Sequence, residues 1–308
     1  MFIPIETADG SSTFYSEAFG EWFHSRSGAC YEAQETYVKS VRLAQRVNRL
    51  SNQPLRILDV CYGLGYNTAA ALETIWHENP DCAVEIVALE IDIEVARSAI
   101  AQNLIQRYSA SVQTVLEAIA THLTAHHHQT HIQLLLGDAR QQIQPLVAKG
   151  WQADIIFLDP FSPPHCPQLW TTEFLSLVAQ CLSPQGGELV TYSCAAAVRS
   201  ALMHAGLSIS SLQTAARKWP GTMARPSARC NSTSNCTAGL SALSQQETEH
   251  LQTKAAVPYR DPTLQATAEE ILSHREKEQQ LSNLLPTGPW RSRWKQKALL
   301  AKNIQSDN

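Results

Sequence analysis

The chain has 308 residues, 44% of them hydrophobic, with 24 Lys and Arg against 28 Asp and Glu for a formal net charge of −4. That is enough apolar material for one large α/β domain with additions or for two small domains, and the charge excludes a protein that binds nucleic acid over its whole surface. No apolar run reaches the roughly 18 residues of a membrane span, MFIPIETADGSSTFY carries no leader pattern, and the eight cysteines form no CxxC pair, so we expect a cytoplasmic protein with reduced thiols and no membrane partner, metal or disulfide framework.

Residues 1–50 hold a turn signal, ADGSS, and a helical pattern from Glu32 to Leu50, read as an N-terminal cap on the domain that follows. Strand patterns at 55–63, 83–91, 131–138, 153–161 and 186–194 then alternate with helical ones at 68–77, 92–107, 139–149, 171–182 and 195–205. This alternation predicts an α/β, Rossmann-like fold over 51–238, a mostly parallel twisted sheet with helices on both faces. The histidine-rich THLTAHHHQTH (121–131) has no acidic or cysteine partner and is expected to be a polar linker before the third strand rather than a metal site. SISSLQT and TMARPSA (208–214 and 222–228) are candidates for an antiparallel edge. Beyond 239 the composition turns to Gln, Glu, Ala and Lys, giving a helical, partly basic extension over 239–308 with a helix at 267–281.

The first strand runs into a glycine loop, LDVCYGLGYN (58–67). In an open parallel sheet the ligand sits beyond the carboxyl ends of the strands, and glycines there let backbone approach it closely. A dinucleotide loop would place a third glycine where Thr68 stands, which weakens the pyrophosphate reading. A nucleoside donor without phosphates, S-adenosylmethionine, suits the set better. Its contacts are expected from Gly63 and Gly65, from Glu90 at the end of the second strand for the ribose hydroxyls, and from Asp138 at the end of the third for adenine. The bland alternative is that these are turn glycines and helix-capping acids.

In LDPFSPPHCPQLW (158–170), Asp159 ends the fourth strand and four prolines stiffen the loop that follows. An Asp-Pro-aromatic run in this place resembles that of amine-methylating enzymes. Such chemistry needs help, because roughly one alkylamine in a thousand is neutral and nucleophilic at pH 7. Asp159 is the candidate catalytic residue that would hold the amine in line and receive its proton.

LDPFSPPHCPQLWTTEFL, followed by GGELVTYSCAAAVRSALMHAGL, resembles the methyltransferase domain of the MnmC family, which methylates the aminomethyl group on the wobble uridine of certain tRNAs. Asp159, Phe161, Pro163, Pro167, Trp170, Thr191, Ser193, Val198, Arg199 and Gly206 carry the pattern, with the early stretch GACYEAQETYV and Asn67 of the glycine loop. The resemblance implies a class I methyltransferase acting on tRNA, cofactor contacts that include Glu32 and Asn67, and a substrate pocket with Phe161 and Trp170. It also implies the short form of the family, without the flavin oxidoreductase domain that makes the aminomethyl precursor. Pro160, Cys166 and Cys61 depart from the family's glycine, asparagine and loop glycine. For RNA itself, Arg217 and Lys218 in ARKWPGTMAR, and the tail PTGPWRSRWKQK with Trp290 and Trp294 four residues apart, combine positive charge with aromatic faces.

Overall fold

The computed structural model describes residues 2–48, 53–227 and 240–306, with side chains described to residue 299. Among the described residues nine strands form the main sheet: β1 (Leu55–Val60), β2 (Val84–Glu90), β3 (Thr124–His127), β4 (Thr130–Leu136), β5 (Ile155–Leu158), β6 (Glu188–Thr191), β7 (Leu207–Leu212), β8 (Gly221–Pro226) and β9 (Leu240–Ser241). Their spatial order is β9-β7-β8-β6-β5-β1-β2-β4-β3. The five central strands are parallel, and antiparallel strands flank them on both sides. The strand order reverses between β1 and β5, so a crevice opens there beyond their carboxyl ends.

Side chains alternate across the sheet with period two. Ile57, Ile86, Ile132 and Phe157 belong to one core, with Tyr37, with Ala69 and Leu72 of α1 (Tyr66–Glu78), with Val95 of α2 (Ile93–Ala101) and with Leu116 of α3 (Ala110–His122). Leu58, Val87, Ile156 and Leu189 belong to the other, with Ile143, with Phe174 of α4 (Thr172–Gln180) and with Val198 of α5 (Ala196–His204). Both faces are therefore covered, as the near-continuous apolar strands require.

Two sequence expectations need correction. The stretch expected to be a polar linker contains β3, which pairs with β4 as an edge hairpin, and it follows α3, a helix not anticipated there. Tertiary contact explains the strand: Ala125 is buried, and Trp76 packs against the His127 ring at 4.7 Å and donates to Thr130 Oγ1 at 3.2 Å. The helix expected from Glu32 to Leu50 is broken instead, with an α-turn at Ala29–Glu32, a π-helix at Ala33–Val38 and a short helix at Leu43–Val47. Arg42 interrupts it with a φ of 51°. Residues 49 and 50 lie outside the described residues, as does Ala228 of TMARPSA.

The two tryptophans of the tail pack against protein. Trp290, in α8 (Thr287–Ser306), stacks on His250 of α6 (Gln245–His250) with ring centroids 3.9 Å apart, and Trp294 donates to Glu249 Oε2 at 2.8 Å. Both indoles help to fix α8 to α6. The extension also joins the sheet domain through Arg199 and Glu247, 2.8 Å apart, and through Ile271 of α7 (Ala268–Leu281), buried in the second core.

Candidate functional site

A cleft of about 1420 Å³ lies over the switch point between β1 and β5. Its floor is the loop after β1. The Cys61 and Tyr62 N–H groups both donate to Leu89 O, and Gly65 N donates to Tyr62 O at 2.9 Å, closing a tight turn that leads into α1. Gly65 has a φ of 85°, and a Cβ there would lie 2.6 Å from the Tyr62 hydroxyl, so only glycine fits. Cys61, which stands where the resembled family has glycine, adopts a φ of 73°. A β-branched residue in that conformation is strained, so Cys61→Val should cost about 2 kcal/mol while Cys61→Gly should stay within about 1 kcal/mol of the parent; urea midpoints measure both.

Glu90 is the fixed point of the cleft. Its Oε2 accepts from Gly63 N at 2.7 Å and its Oε1 from Ile91 N and Asp92 N at 2.8 and 2.9 Å. Burial pushes its pKa up while these three N–H groups pull it down. The carboxylate is thus aimed by backbone, and its remaining lone pairs suit vicinal hydroxyls. Ile91, beside it and exposed on the cleft wall, is an apolar surface that the sequence did not flag. Asp138 also lines the cleft, where it caps Ala139–Gln142 by accepting from Arg140 N at 2.9 Å and pairs with the Arg140 guanidinium at 2.7 Å. Asp59, the loop's own acid, points away: it is fully buried, accepts from Thr68 Oγ1 at 2.7 Å, and burial raises its pKa to about 7.

Asp159 faces the cleft from the end of β5, between donors from two other elements. Asn67, in the first turn of α1, donates to Oδ2 at 2.8 Å, and Tyr37, in the π-helix, donates to Oδ1 in a short hydrogen bond. Burial is the main reason that its pKa rises to about 8; Glu32 adds to the rise and the two hydrogen bonds oppose it. Asn67, expected at the cofactor, therefore ties the glycine loop to Asp159. Tyr37 was not anticipated at all.

Glu32 and Arg217 meet on the same wall as an ion pair. Glu32 also accepts from Ser25 N at 3.1 Å, and the Arg217 guanidinium lies 4.6 Å from the centre of the Tyr192 ring. Arg217 is thus held by protein groups rather than presented as an open phosphate contact. Lys218 is exposed outside the cleft, 5.9 Å from the ring centre of Trp219, which is itself 62% exposed. Phe161 lines the cleft between Phe19 (4.5 Å) and Phe23 (4.9 Å). Trp170 does not reach a ligand: it is fully buried and donates to Phe161 O at 2.8 Å, so it shapes the loop after β5 from behind.

The N-terminal segment forms the remaining wall. Glu21 accepts from Ser162 N at 2.8 Å and from Ser162 Oγ at 2.5 Å, and His165 Nδ1 lies 2.6 Å from Phe19 O. His24 lines the cleft with its pKa lowered by burial to about 4, so its ring is neutral. The cleft joins a cradle around Glu90 to a half-buried acid at Asp159, and its volume has room for two ligands at once.

Residues 97–227 match a family described as S-adenosyl-L-methionine-dependent methyltransferase. An uncharacterized protein of Methanocaldococcus jannaschii is 31% identical over 283 residues, covering 88% of this chain and 71% of that one. The tRNA 5-methylaminomethyl-2-thiouridine biosynthesis bifunctional protein MnmC of an Acidovorax species is 28% identical over 227 residues, covering 68% of this chain and 33% of that one. The chain thus spans about a third of the length of the MnmC relatives that it matches. Among solved structures, MnmC2 from Aquifex aeolicus is 30% identical with a TM-score of 0.75, covering 92% of this chain and 86% of that one.

Proposed function

Because the chain belongs to the MnmC-type methyltransferases and uses S-adenosyl-L-methionine, we propose that it methylates the aminomethyl nitrogen of 5-aminomethyl-(2-thio)uridine at the wobble position of tRNA. The observation that carries this reading is Asp159, a half-buried carboxyl of raised pKa in the same cleft as the carboxylate of Glu90. The residues present fit the donor. Gly63 and Gly65 let backbone close in on it, Glu90 offers ordered acceptors to two ribose hydroxyls, and Asp138 offers one to the amino group of adenine. The Glu32–Arg217 pair brings a carboxylate and a guanidinium to the charged ends of its amino acid moiety.

When bound, S-adenosyl-L-methionine supplies an electrophilic methyl group on a sulfonium. Asp159 orients the incoming amine and takes up the proton that it must lose, with its oxygens held apart by Tyr37 and Asn67. Phe19, Phe23 and Phe161 keep water from this end of the cleft. Lys218 and Trp219, exposed next to Arg217 of the cleft wall, contact a phosphate and an unpaired base of the anticodon loop.

The purified protein, given methyl-labelled donor and tRNA carrying the aminomethyl uridine, should add one methyl to that nucleoside. The assay would refute the proposal if label went to a free polyamine and never to tRNA, or if only a decarboxylated donor were consumed. Affinity for the tRNA should fall steeply with salt, as phosphate contacts demand.

A further inference from the structure

We propose that the C-terminal extension takes part in recognising the cofactor: Asp261 aims Arg140, Arg140 holds Asp138, and Asp138 thereby keeps an acceptor turned toward the exocyclic amine of adenine. The inference rests on the placement of adenine at Asp138 given above. Asp261 is fully buried, although it lies 121 residues from Arg140 in a chain segment outside the sheet. Its two oxygens have separate duties. Oδ1 accepts from Thr263 Oγ1 at 3.1 Å and from Gln265 N and Ala266 N at 3.2 Å each, which folds the segment on itself. Oδ2 is left to Arg140 Nη1 at 2.8 Å.

Arg140 uses the rest of its planar fork on Asp138, with Nε 3.1 Å from both oxygens and Nη2 2.7 Å from Oδ2, while Nη1 also donates to Ala266 O at 2.9 Å. One guanidinium thus bridges two carboxylates, and both faces of the bridge are shielded: the Arg140 side chain is 10% exposed and that of Asp261 is 0% exposed. A guanidinium locked in this way cannot swing across Asp138 and consume the lone pairs that face the cleft. The segment is itself anchored to α4, where Glu173 accepts from Asp261 N at 2.8 Å and from Arg260 Nε at 2.6 Å. The link therefore runs from a fixed point in the extension to the third-strand acid.

Asp261→Asn is the informative change. Three donors to Oδ1 keep the amide oxygen in place, so its NH2 group faces the Arg140 fork and drives the guanidinium off. Titration calorimetry on the full chain with S-adenosylhomocysteine should show affinity weakened about five- to tenfold, with the inosine counterpart, which has a carbonyl in place of the amine, changed less than about twofold. The double variant Asp261→Asn/Asp138→Asn should bind S-adenosylhomocysteine no more than about twofold worse than Asp138→Asn, because both act through one acceptor. Equal losses for the two ligands, or losses that multiply in the double variant, would make Asp261 a merely structural residue and overturn the proposal. If Asp138→Asn leaves the preference for adenine intact, the adenine placement falls; if it removes that preference while Asp261→Asn does not, only the link falls. Should Asp261→Asn unfold early in a ligand-free melt, Arg140→Lys, which keeps the charge but cannot bridge two carboxylates, must reproduce the selective loss.

Discussion

Asp159→Ala should lower methyl transfer by at least about 10³-fold while donor affinity stays within a few-fold, because the substitution removes the carboxylate that accepts from both Tyr37 and Asn67 and leaves the Glu90 end of the cleft untouched. Stopped assays at saturating donor, paired with calorimetry, separate the two quantities; near-parental turnover would remove Asp159 from the chemistry. The pH profile carries a second signature. With the carboxyl of the free protein protonated below about 8, kcat/KM should rise through that pH as the proton-accepting form appears, and the limb should vanish in Asp159→Asn. In kcat the same limb should lie lower, since cationic ligands in the cleft favour the carboxylate. Stability moves the opposite way. The folded pKa of about 8 stands above the unfolded 3.8, so the stabilising contribution is complete below about 4 and is lost as pH climbs through 8. Asp159→Asn should flatten that part of the melting-temperature profile.

Glu90→Ala should abolish measurable donor binding, with a loss on the order of 10²-fold or more. Two hydrogen bonds from ribose hydroxyls to an ionised acceptor, at about 1.5 kcal/mol each, already account for such a factor. The deletion also strips a partner from Gly63 N, Ile91 N and Asp92 N, so the glycine loop loses the group that fixes its position. Glu90→Gln, which keeps the shape and one acceptor oxygen, should recover part of the affinity. Calorimetry with S-adenosylhomocysteine decides the matter, and binding within threefold of the parent would show that Glu90 only braces the loop.

Much of this architecture was legible in the residues. Strand patterns that carry Asp59, Glu90, Asp138 and Asp159 at or near their ends reveal the parallel strands and the edge where they stop, because strand ends and acids are both local properties. Residues whose direction depends on distant partners were not legible. Tyr37 sits in a π-helix, and a search for the 3.6-residue period cannot tell which way its ring points when the local turn is wider. Arg217 looked available for phosphate because its partner, Glu32, lies 185 residues away. Trp170, Trp290 and Trp294 look alike in sequence, yet Trp170 is buried, Trp290 stacks on His250 and Trp294 donates to Glu249. Composition names the residues a nucleic acid would favour; only packing says whether they are already spent. His126, His127 and His131 make the same point, since their strands follow from the burial of Ala125 and Thr130 and not from the histidines themselves.

The bonds from Glu21 to Ser162, Tyr37 to Asp159, Arg140 to Asp261 and Glu32 to Arg217 join positions 141, 122, 121 and 185 residues apart. Each closes a very long loop of chain, and loop closures of that length come late in folding. A nascent or half-unfolded chain with its helices already formed consequently owns no working pocket. Competence to act on a ligand marks the end of maturation for this molecule, and a damaged copy loses it before its sheet comes apart.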